Sequence, residues 1–180
     1  MRGIRLELLI ATLALLASAA ASIATVVQTG AVERQLSAST WPYVTISTTV
    51  SPRDVKLDVI NEGLGPALIR NATLTFDGTR YARWRDVLHA MARKTHSKQH
   101  VGLEVYDFGN GSVVRSGETS RIIGVHGPLA LQFATATAPL TNVALCYCSI
   151  LQQCWTTDAR SPDPPAPVPD CGHENGRVAY

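Results

Sequence analysis

The stretch CYCSILQQCW, residues 146 to 155, carries three of the four cysteines of the 180-residue chain. Side chains two positions apart in a β-strand point to the same face, so a strand through this stretch puts Cys146 and Cys148 side by side. A rise of about 3.3 Å per residue separates their Cβ atoms by roughly 6.5 Å, whereas a disulfide needs roughly 3.5 to 4.5 Å. Each of these two cysteines must therefore bond to a partner elsewhere in the chain.

A turn after Cys148 predicts those partners. Residues 149 to 153 make a five-residue loop, a length that closes a β-hairpin and brings Cys154 opposite Cys148. Cys146 then bonds to Cys171 and holds the end of the chain against the sheet. The other pairing, Cys146 with Cys154 and Cys148 with Cys171, needs only a shift of register, and connectivity does not follow from sequence alone. We expect two disulfides and favour the first pairing.

Free thiols or thiolate ligands are the alternative use of the same residues. A thiol oxidoreductase commonly places a low-pKa thiol in a C-x-x-C motif at a helix N-terminus, and the sequence has no such motif. A zinc or copper site would have to be built from Cys146, Cys148, Cys154 and His173, whose spacing matches no common zinc motif. A periplasmic thiol-redox or metal-binding enzyme centred on the first three is the second hypothesis. The primary prediction has no catalytic residue, no cofactor and no metal ligand.

The start of the chain is long and apolar enough to cross a bilayer. No side chain from Leu8 to Val27 is charged, and at about 1.5 Å per residue a helix of this length spans roughly 30 Å, the thickness of a bilayer core. Arg2 and Arg5 precede the segment, whereas Glu33 and Arg34 offset each other after it. The positive-inside rule then places the N-terminus in the cytoplasm and everything after the span outside.

A cleaved signal peptide is the other interpretation of this segment, with Ala17-Ser18-Ala19 as the cleavage site. Cleavage there would leave residues 20–27, most of them apolar, at the exposed start of the mature protein. An uncleaved signal-anchor keeps them in lipid, so we predict an anchor. An extracytoplasmic domain lies in an oxidising compartment, which agrees with an even number of cysteines, four.

Prolines and polarity divide the rest of the chain. The predicted order is a cytoplasmic N-terminus (1–7), a transmembrane helix (8–27), a helical stalk (28–40), a β-sandwich domain (41–160) and a proline-rich tail (161–180). The stalk ends at Trp41-Pro42-Tyr43, because the residue before a proline disfavours the helical conformation. The net charge of +2 is too small to indicate nucleic acid as a partner.

Alternating apolar and polar residues predict short strands in the domain. They fall at 43–50, 55–60, 67–76, 103–106, 121–125, 143–149 and 154–157. The third strand changes parity near Arg70-Asn71, which predicts a bulge, and Asp77-Gly78 predicts a hairpin turn. WRDVLHAMAR, residues 84–93, has the spacing of the one internal amphipathic helix, and residues 128–136 fit strand or helix, with helix favoured.

Many short strands with an extracytoplasmic set of cysteines indicate a mainly β fold. We expect an N-terminal transmembrane helix followed by an immunoglobulin-like β-sandwich with two disulfides. The tyrosine-corner and Cys-Trp-Cys patterns of true immunoglobulin domains are absent, so this expectation concerns architecture only.

Basic residues are concentrated between positions 80 and 100. They are Arg80, Arg83, Arg85, Arg93, Lys94 and Lys98, with His89, His96 and His100 among them and Asp86 as the single acid. The functional interpretation is binding of an anionic partner, such as an envelope component or an acidic face of another envelope protein. The alternative is a solvated helix face and loop, which is how charge runs are commonly used.

Three motifs occur together in the chain: Trp41-Pro42-Tyr43, the stretch NEGLGPA at 61–67, and Cys146-Tyr147-Cys148-Ser149 followed by Cys154-Trp155. This combination resembles bacterial single-pass membrane-anchored proteins that have an extracytoplasmic domain and no established activity. The resemblance covers most of the chain and implies topology and fold class, with no catalytic residues to carry over. The sequence therefore predicts a module anchored in the cell membrane by a single pass, which binds a ligand or takes part in assembly outside the cytoplasm.

Overall fold

The structure is a computed structural model that describes residues 2–95, 102–106 and 108–172. The chain forms two separate compact units, one up to Ser39 and one from Thr40 onward. The predicted candidates Lys98, His96, His100 and His173 lie outside the described residues.

The first unit is one helix, α1 (Arg2–Ser39), of 38 residues. It contains the predicted span and the predicted stalk up to Ser39. From Leu8 onward it is long and apolar enough to cross a membrane, by length and composition. Its hydroxyl groups bond back to the helix backbone: Ser18 donates to the carbonyl of Ala14 at 2.8 Å, and Ser22 donates to that of Ser18 at 2.9 Å. Such bonds give the hydroxyl groups a hydrogen-bond partner within the helix itself.

The second unit is mainly β, as predicted, and its described strands form two antiparallel sheets. Sheet A has the order β1 (Val44–Ser51), β2 (Asp54–Asn61), β7 (Thr119–His126), β5 (Gly102–Val105). Sheet B has the order β10 (Ala166–Val168), β9 (Cys154–Asp158), β8 (Thr141–Cys148), β3 (Ala67–Phe76), β4 (Thr79–Tyr81), with β6 (Val113–Val114) also paired to β3. Two helices, α2 (Trp84–Thr95) and α3 (Ala130–Thr137), and a short 3₁₀ turn (Ala138–Leu140) complete it.

One hydrophobic core is shared by both sheets and both helices. Sheet A contributes residues such as Val44 and Val59, sheet B contributes Leu74 and Leu145, and α2 contributes Trp84, all of them fully buried. The period-two alternation of β1 and β2 puts their valines on one face, because successive strand side chains point to opposite sides. Burial of this shared apolar face is the main force that holds the two sheets together.

Several local predictions are confirmed. The register of β3 against β8 shifts between Ile69 and Asn71, which is the predicted bulge. Asp77 and Gly78 have φ angles of 52° and 76°, the left-handed pair that a tight hairpin turn requires. The amphipathic helix forms as predicted, and it buries the side chains of Trp84, Val87, Leu88, Ala90 and Met91.

Other features differ from the expectation. Residues 128–136, for which helix was favoured over strand, do contribute to a helix, α3, and it is additional to the one internal amphipathic helix counted in the predicted fold. The predicted tail is not wholly outside the sheet, because β10 pairs with β9 at the edge of sheet B. Pro167 lies in this strand, and its missing N–H is tolerated at an edge. The two-residue strand β6 is too short to leave an alternating pattern in the sequence.

Two of the sequence motifs pack against each other around Asn61, which is fully buried. Its side-chain oxygen accepts hydrogen bonds from the backbone N–H of Tyr43 (3.1 Å) and Gly63 (3.0 Å). Its amide nitrogen donates to the carbonyls of Gly65 (2.8 Å) and Val114 (2.9 Å). All four bonding positions of the amide are therefore used. Since Val114 belongs to β6, this one side chain ties sheet A to sheet B.

The glycines of the same motif are required by close backbone contact. A Cβ atom on Gly63 would lie 2.3 Å from the Tyr43 nitrogen, and one on Gly65 would lie 2.0 Å from the Thr40 oxygen. Both distances are far below van der Waals contact with backbone that cannot move aside. The motif thus closes one end of the domain, which is a structural role.

Candidate functional site

Helix α2 carries three of the six basic residues predicted to bind an anion, Arg85, Arg93 and Lys94. Its first turn contains Asp86, and its last turn contains Arg93 and Lys94, so the charges at both ends oppose the helix dipole. Trp84 anchors the start of the helix by donating from its ring nitrogen to the Phe108 carbonyl at 2.9 Å. Because the apolar stripe faces the core, Arg85 is turned to the exposed side of the helix.

A cleft of about 700 Å³ lies between α2 and β5. Its lining combines apolar and polar groups: Arg85, Leu88, His89, Ala92, Leu103, Val105 and Tyr106. Arg85, His89 and Ala92 follow one another at spacings of four and three residues, so they share a helix face. The cleft has the size and the mixed lining that are typical of small-molecule sites.

Arg85 and His89 supply the polar groups of the α2 side of the cleft. Within the part of the chain that the structure describes, no hydrogen bond or ion pair joins either side chain to another residue. Both side chains are exposed. A guanidinium group that keeps its donors for a ligand is well suited to a planar carboxylate or a phosphate.

The other predicted basic residues have different surroundings. Lys94 forms an ion pair with Asp77, and Arg80 in β4 donates to the Thr73 hydroxyl at 3.4 Å. Arg83 and Arg93 are exposed and do not line the cleft. Among the five of these candidates that the structure describes, Arg85 alone lines the cleft.

Sheet A carries a polar network on its outer face that sequence patterns did not indicate. The His126 ring lies between two carboxylates: Nδ1 is 2.6 Å from Asp54 Oδ1, and Nε2 is 3.1 Å from Glu104 Oε2. These distances are those of ion pairs, although Asp54 Oδ1 and His126 Nε2 do not meet the angular requirement for a hydrogen bond. Three neighbouring strands, β2, β7 and β5, are thereby linked.

Charged and aromatic groups extend this network along the sheet. Tyr106 donates from its hydroxyl to Glu104 Oε2 at 2.8 Å, and Arg121 stacks over the Tyr106 ring at 5.7 Å from its centroid. Arg121 Nε also donates to Asp58 Oδ1 at 3.0 Å. The hydrogen bond to Asp58 is the main reason that the pKa of Arg121 is raised.

Two carboxylates of the network, Asp54 and Glu104, have a pKa below their ordinary values. The hydrogen bond from Lys56, 2.5 Å away, is the largest cause of the lowered pKa of Asp54, and the charges of Lys56 and His126 add to it. The hydrogen bond from Tyr106 is the largest cause of the lowered pKa of Glu104, and the neighbouring His126 ring lowers it further. Such shifts mean that the network stabilises the ionised carboxylates.

Gly124 explains why the His126 ring can lie across the strand. A Cβ atom on Gly124 would be 2.8 Å from His126 Nε2 and would displace the ring from Glu104. The side chains of this network bond to one another, so they hold sheet A together and leave few groups for a ligand. The sequence around His126 and the sequence around Glu104 do not reveal this contact, because only the pairing register of β7 with β5 brings the two side chains together.

The four cysteines lie on the side of sheet B away from the core. The structure joins Cys146 to Cys171 and Cys148 to Cys154, which is the favoured pairing, and leaves no free cysteine among the described residues. Residues 149–153 form the predicted turn, closed by a 2.8 Å hydrogen bond from the Ser149 N–H to the Gln153 carbonyl. The sulfur atoms of Cys148, Cys154 and Cys171 lie within 4.8 Å of one another.

In this bonded state the sulfur atoms are neither thiolate nucleophiles nor thiolate ligands, because both uses require a deprotonated thiol.

No protein-family model, no curated protein and no solved structure matches the chain. A function is therefore argued from the α2–β5 cleft, the sulfur cluster and the anchor themselves.

Proposed function

We propose that this protein is a membrane-anchored binding module that takes an anionic, partly apolar component of the cell envelope into the α2–β5 cleft. The observation that carries the proposal is the lining of that cleft. Arg85 and His89 offer polar groups without partners among the described residues, above apolar side chains such as Leu88 and Leu103. An anion with an apolar part satisfies both halves of such a site.

The anchor part of the proposal concerns α1. A helix long and apolar enough to span a membrane follows Arg2 and Arg5, which favours a cytoplasmic N-terminus. Two disulfides favour an extracytoplasmic, oxidising location for the β domain, because cytoplasmic thiols are kept reduced. The membrane is then a permanent partner, and an anionic envelope component or another envelope protein is the ligand.

The strand order supports an immunoglobulin-like sandwich for the displayed domain. Constant-type immunoglobulin sheets have the orders A-B-E-D and C-F-G. Lettered along the chain, β1-β2-β7-β5 follows the first order and β3-β8-β9 follows the second, with β4 and β10 added at the two edges of sheet B. Strands B and F correspond to β2 and β8, and no disulfide joins them here, because both cysteines of β8 bond elsewhere.

Two features favour binding over the alternative of a thiol-redox or metal enzyme. All four cysteines are in disulfides, which supports a role in bracing the sheet. No acid is among the described residues that line the cleft, and its basic and aromatic groups suit recognition of charge.

Photo-cross-linking in native membranes tests the proposal. A photoreactive amino acid replaces Ala92 in the full-length chain, since Ala92 lines the cleft. After irradiation, the mass of any adduct identifies the captured molecule. We expect an adduct that carries a phosphate or carboxylate group, and we expect Arg85→Glu to reduce its yield about tenfold or more, because the charge at the rim is reversed.

A matched control uses the same charge reversal away from the cleft. Arg115 has 85% of its side chain exposed and does not line the cleft, so Arg115→Glu should leave the adduct unchanged. An adduct that forms equally in both variants, or one that consists of uncharged molecules only, would contradict the proposal.

A further inference from the structure

The two disulfides of sheet B touch each other. The Sγ atom of Cys148 is 3.6 Å from the Sγ atom of Cys171, although the two belong to different bonds. The four sulfur atoms therefore form a short row, Cys154, Cys148, Cys171, Cys146, with a bond at each end and a contact in the middle. Attack by a thiolate on a neighbouring disulfide sulfur is how disulfides rearrange.

We propose that this row is an interchange device, in which loss of either end bond leads to formation of a third disulfide between Cys148 and Cys171. The two middle atoms need to approach by about 1.5 Å to reach the bonding distance of about 2.05 Å. A rotation of the Cys171 side chain in the terminal segment provides this movement. Cys148 lies in strand β8, which stays fixed.

The chemistry is balanced from either end of the row. A dithiol reductant supplies two electrons and reduces the bond between Cys148 and Cys154 to two thiols. The Cys148 thiolate then attacks Cys171 Sγ, the bond from Cys171 to Cys146 breaks, and Cys146 leaves as the thiolate. Reduction of the other bond gives the mirror sequence, in which the Cys171 thiolate attacks Cys148 Sγ and Cys154 leaves. Both routes end with one central disulfide and two thiols, without further oxidation or reduction.

Differences in burial decide which cysteine an external reductant reaches first. Cys146, Cys148 and Cys154 are buried, whereas Cys171 is partly exposed, so an external dithiol reaches Cys171 first. The central bond keeps the terminal segment attached to β8 after a two-electron reduction. The hairpin cysteine Cys154 then becomes a thiol while the tail remains in place.

Single substitutions in the full-length chain test the device without any reductant. Cys154→Ser leaves Cys148 as a thiol beside the bond from Cys171 to Cys146. Cys146→Ser is the matched variant, which leaves Cys171 as a thiol beside the bond from Cys148 to Cys154. Each variant is purified in detergent, alkylated under folded conditions, quenched with acid and mapped by fragmentation mass spectrometry.

The proposal expects the label in each variant at two positions. In Cys154→Ser it should be found on Cys146 as well as on Cys148, and in Cys146→Ser on Cys154 as well as on Cys171. Label confined to Cys148 in the first variant and to Cys171 in the second overturns the proposal.

A measurement on the unaltered protein covers the case in which a variant does not fold. The chain is treated with a limiting amount of dithiothreitol, and the singly bonded species is trapped and mapped. Recovery of a disulfide between Cys148 and Cys171 supports the device, whereas recovery of only the two original bonds in this species overturns it.

Discussion

The outer faces of the two sheets are stabilised by different chemistry. Sheet B has two covalent bonds on its outer side, from Cys146 to Cys171 and from Cys148 to Cys154. Sheet A has a row of ion pairs and hydrogen bonds centred on His126. The same core lies beneath both, so the two faces should respond to different conditions, sheet B to reduction and sheet A to acid and salt.

The largest expected effect comes from the residue that joins the two sheets. Asn61→Ala removes four hydrogen bonds from a fully buried side chain, three of them buried and the one to Tyr43 partly buried, and so takes a partner from four backbone groups. We expect the free energy of unfolding to fall by about 4 kcal/mol, because each unsatisfied buried group costs about 1 to 3 kcal/mol and some will rehydrate. Urea unfolding of the full chain in detergent, followed by tryptophan fluorescence, measures this.

A second asparagine provides the control for that substitution. Asn142 is half-buried and donates one side-chain hydrogen bond to Asp158, at 2.7 Å. Asn142→Ala should cost about 1 kcal/mol or less. Equal losses in the two variants would show that Asn61 does not join the sheets in the way its geometry indicates.

The disulfides of sheet B should contribute unequally. The bond from Cys146 to Cys171 spans 25 residues, and the one from Cys148 to Cys154 spans 6 residues. Loop-closure entropy then gives about 3.5 kcal/mol for the first and about 2 kcal/mol for the second. The double variants Cys146→Ser/Cys171→Ser and Cys148→Ser/Cys154→Ser, unfolded in urea, measure the two values. A larger loss from the hairpin pair would contradict the entropic argument.

Tyr147 connects the sheets by a second, weaker link. Its hydroxyl accepts a 3.2 Å hydrogen bond from the Val44 N–H, and burial is the main cause that raises its pKa to about 12. Tyr147→Phe leaves that buried N–H unpaired and should cost about 2 kcal/mol. Tyr106→Phe is the control, because the Tyr106 hydroxyl bonds to a more exposed carboxylate on sheet A, and it should cost about 1 kcal/mol or less.

The pH dependence of Tyr147 has a definite sign. Its folded pKa lies above the ordinary value of 10.0, so the folded state holds the proton more tightly than the unfolded state. The stabilisation is complete below pH 10.0 and is lost as the pH rises towards about 12. A stability that does not fall in alkali, relative to Tyr147→Phe, would contradict this assignment.

The elements that the sequence predicted are those fixed by local pattern or by covalent geometry. Strand spacing excluded a bond between Cys146 and Cys148, and the hairpin length favoured the pairing that forms without excluding the other; the bulge in β3 followed from a change of parity. The network on sheet A could not be predicted, because it depends on the long-range register of β2, β7 and β5. That register shifts between Leu57 and Asp58, and Gly124 has no side chain to displace the His126 ring. Neither feature leaves a periodic signal in the sequence.

The sequence predicted the basic residues of the candidate binding site but not the cleft that Arg85 lines. A cluster of basic residues was evident, but helix periodicity and the position of β5 decide that Arg85 lines the cleft. Lys94, with the same charge, pairs with Asp77. The partners of a surface charge depend on tertiary packing, so a charge run alone does not separate an arginine that lines a cleft from a lysine that pairs with a turn residue.

The smallest expected effect concerns acid and sheet A. The folded pKa values of Asp54 and Glu104 lie below the ordinary values of 3.8 and 4.5, so the folded state favours their ionised forms. The stabilisation is present above those ordinary values and is lost as the pH falls through the lowered folded values. Glu104→Gln should therefore reduce the loss of stability between neutral pH and about pH 3.

Urea unfolding at a series of pH values measures this difference, and salt should weaken it because the network is partly exposed. Glu62→Gln is the control, since the Glu62 side chain is exposed and makes no ion pair among the described residues; its acid response should equal that of the unaltered chain. The double variant Cys146→Ser/Cys171→Ser should also keep the full acid response, because its lost bond lies on sheet B. An acid response that disappears with the disulfide would show that the two faces depend on each other through the core.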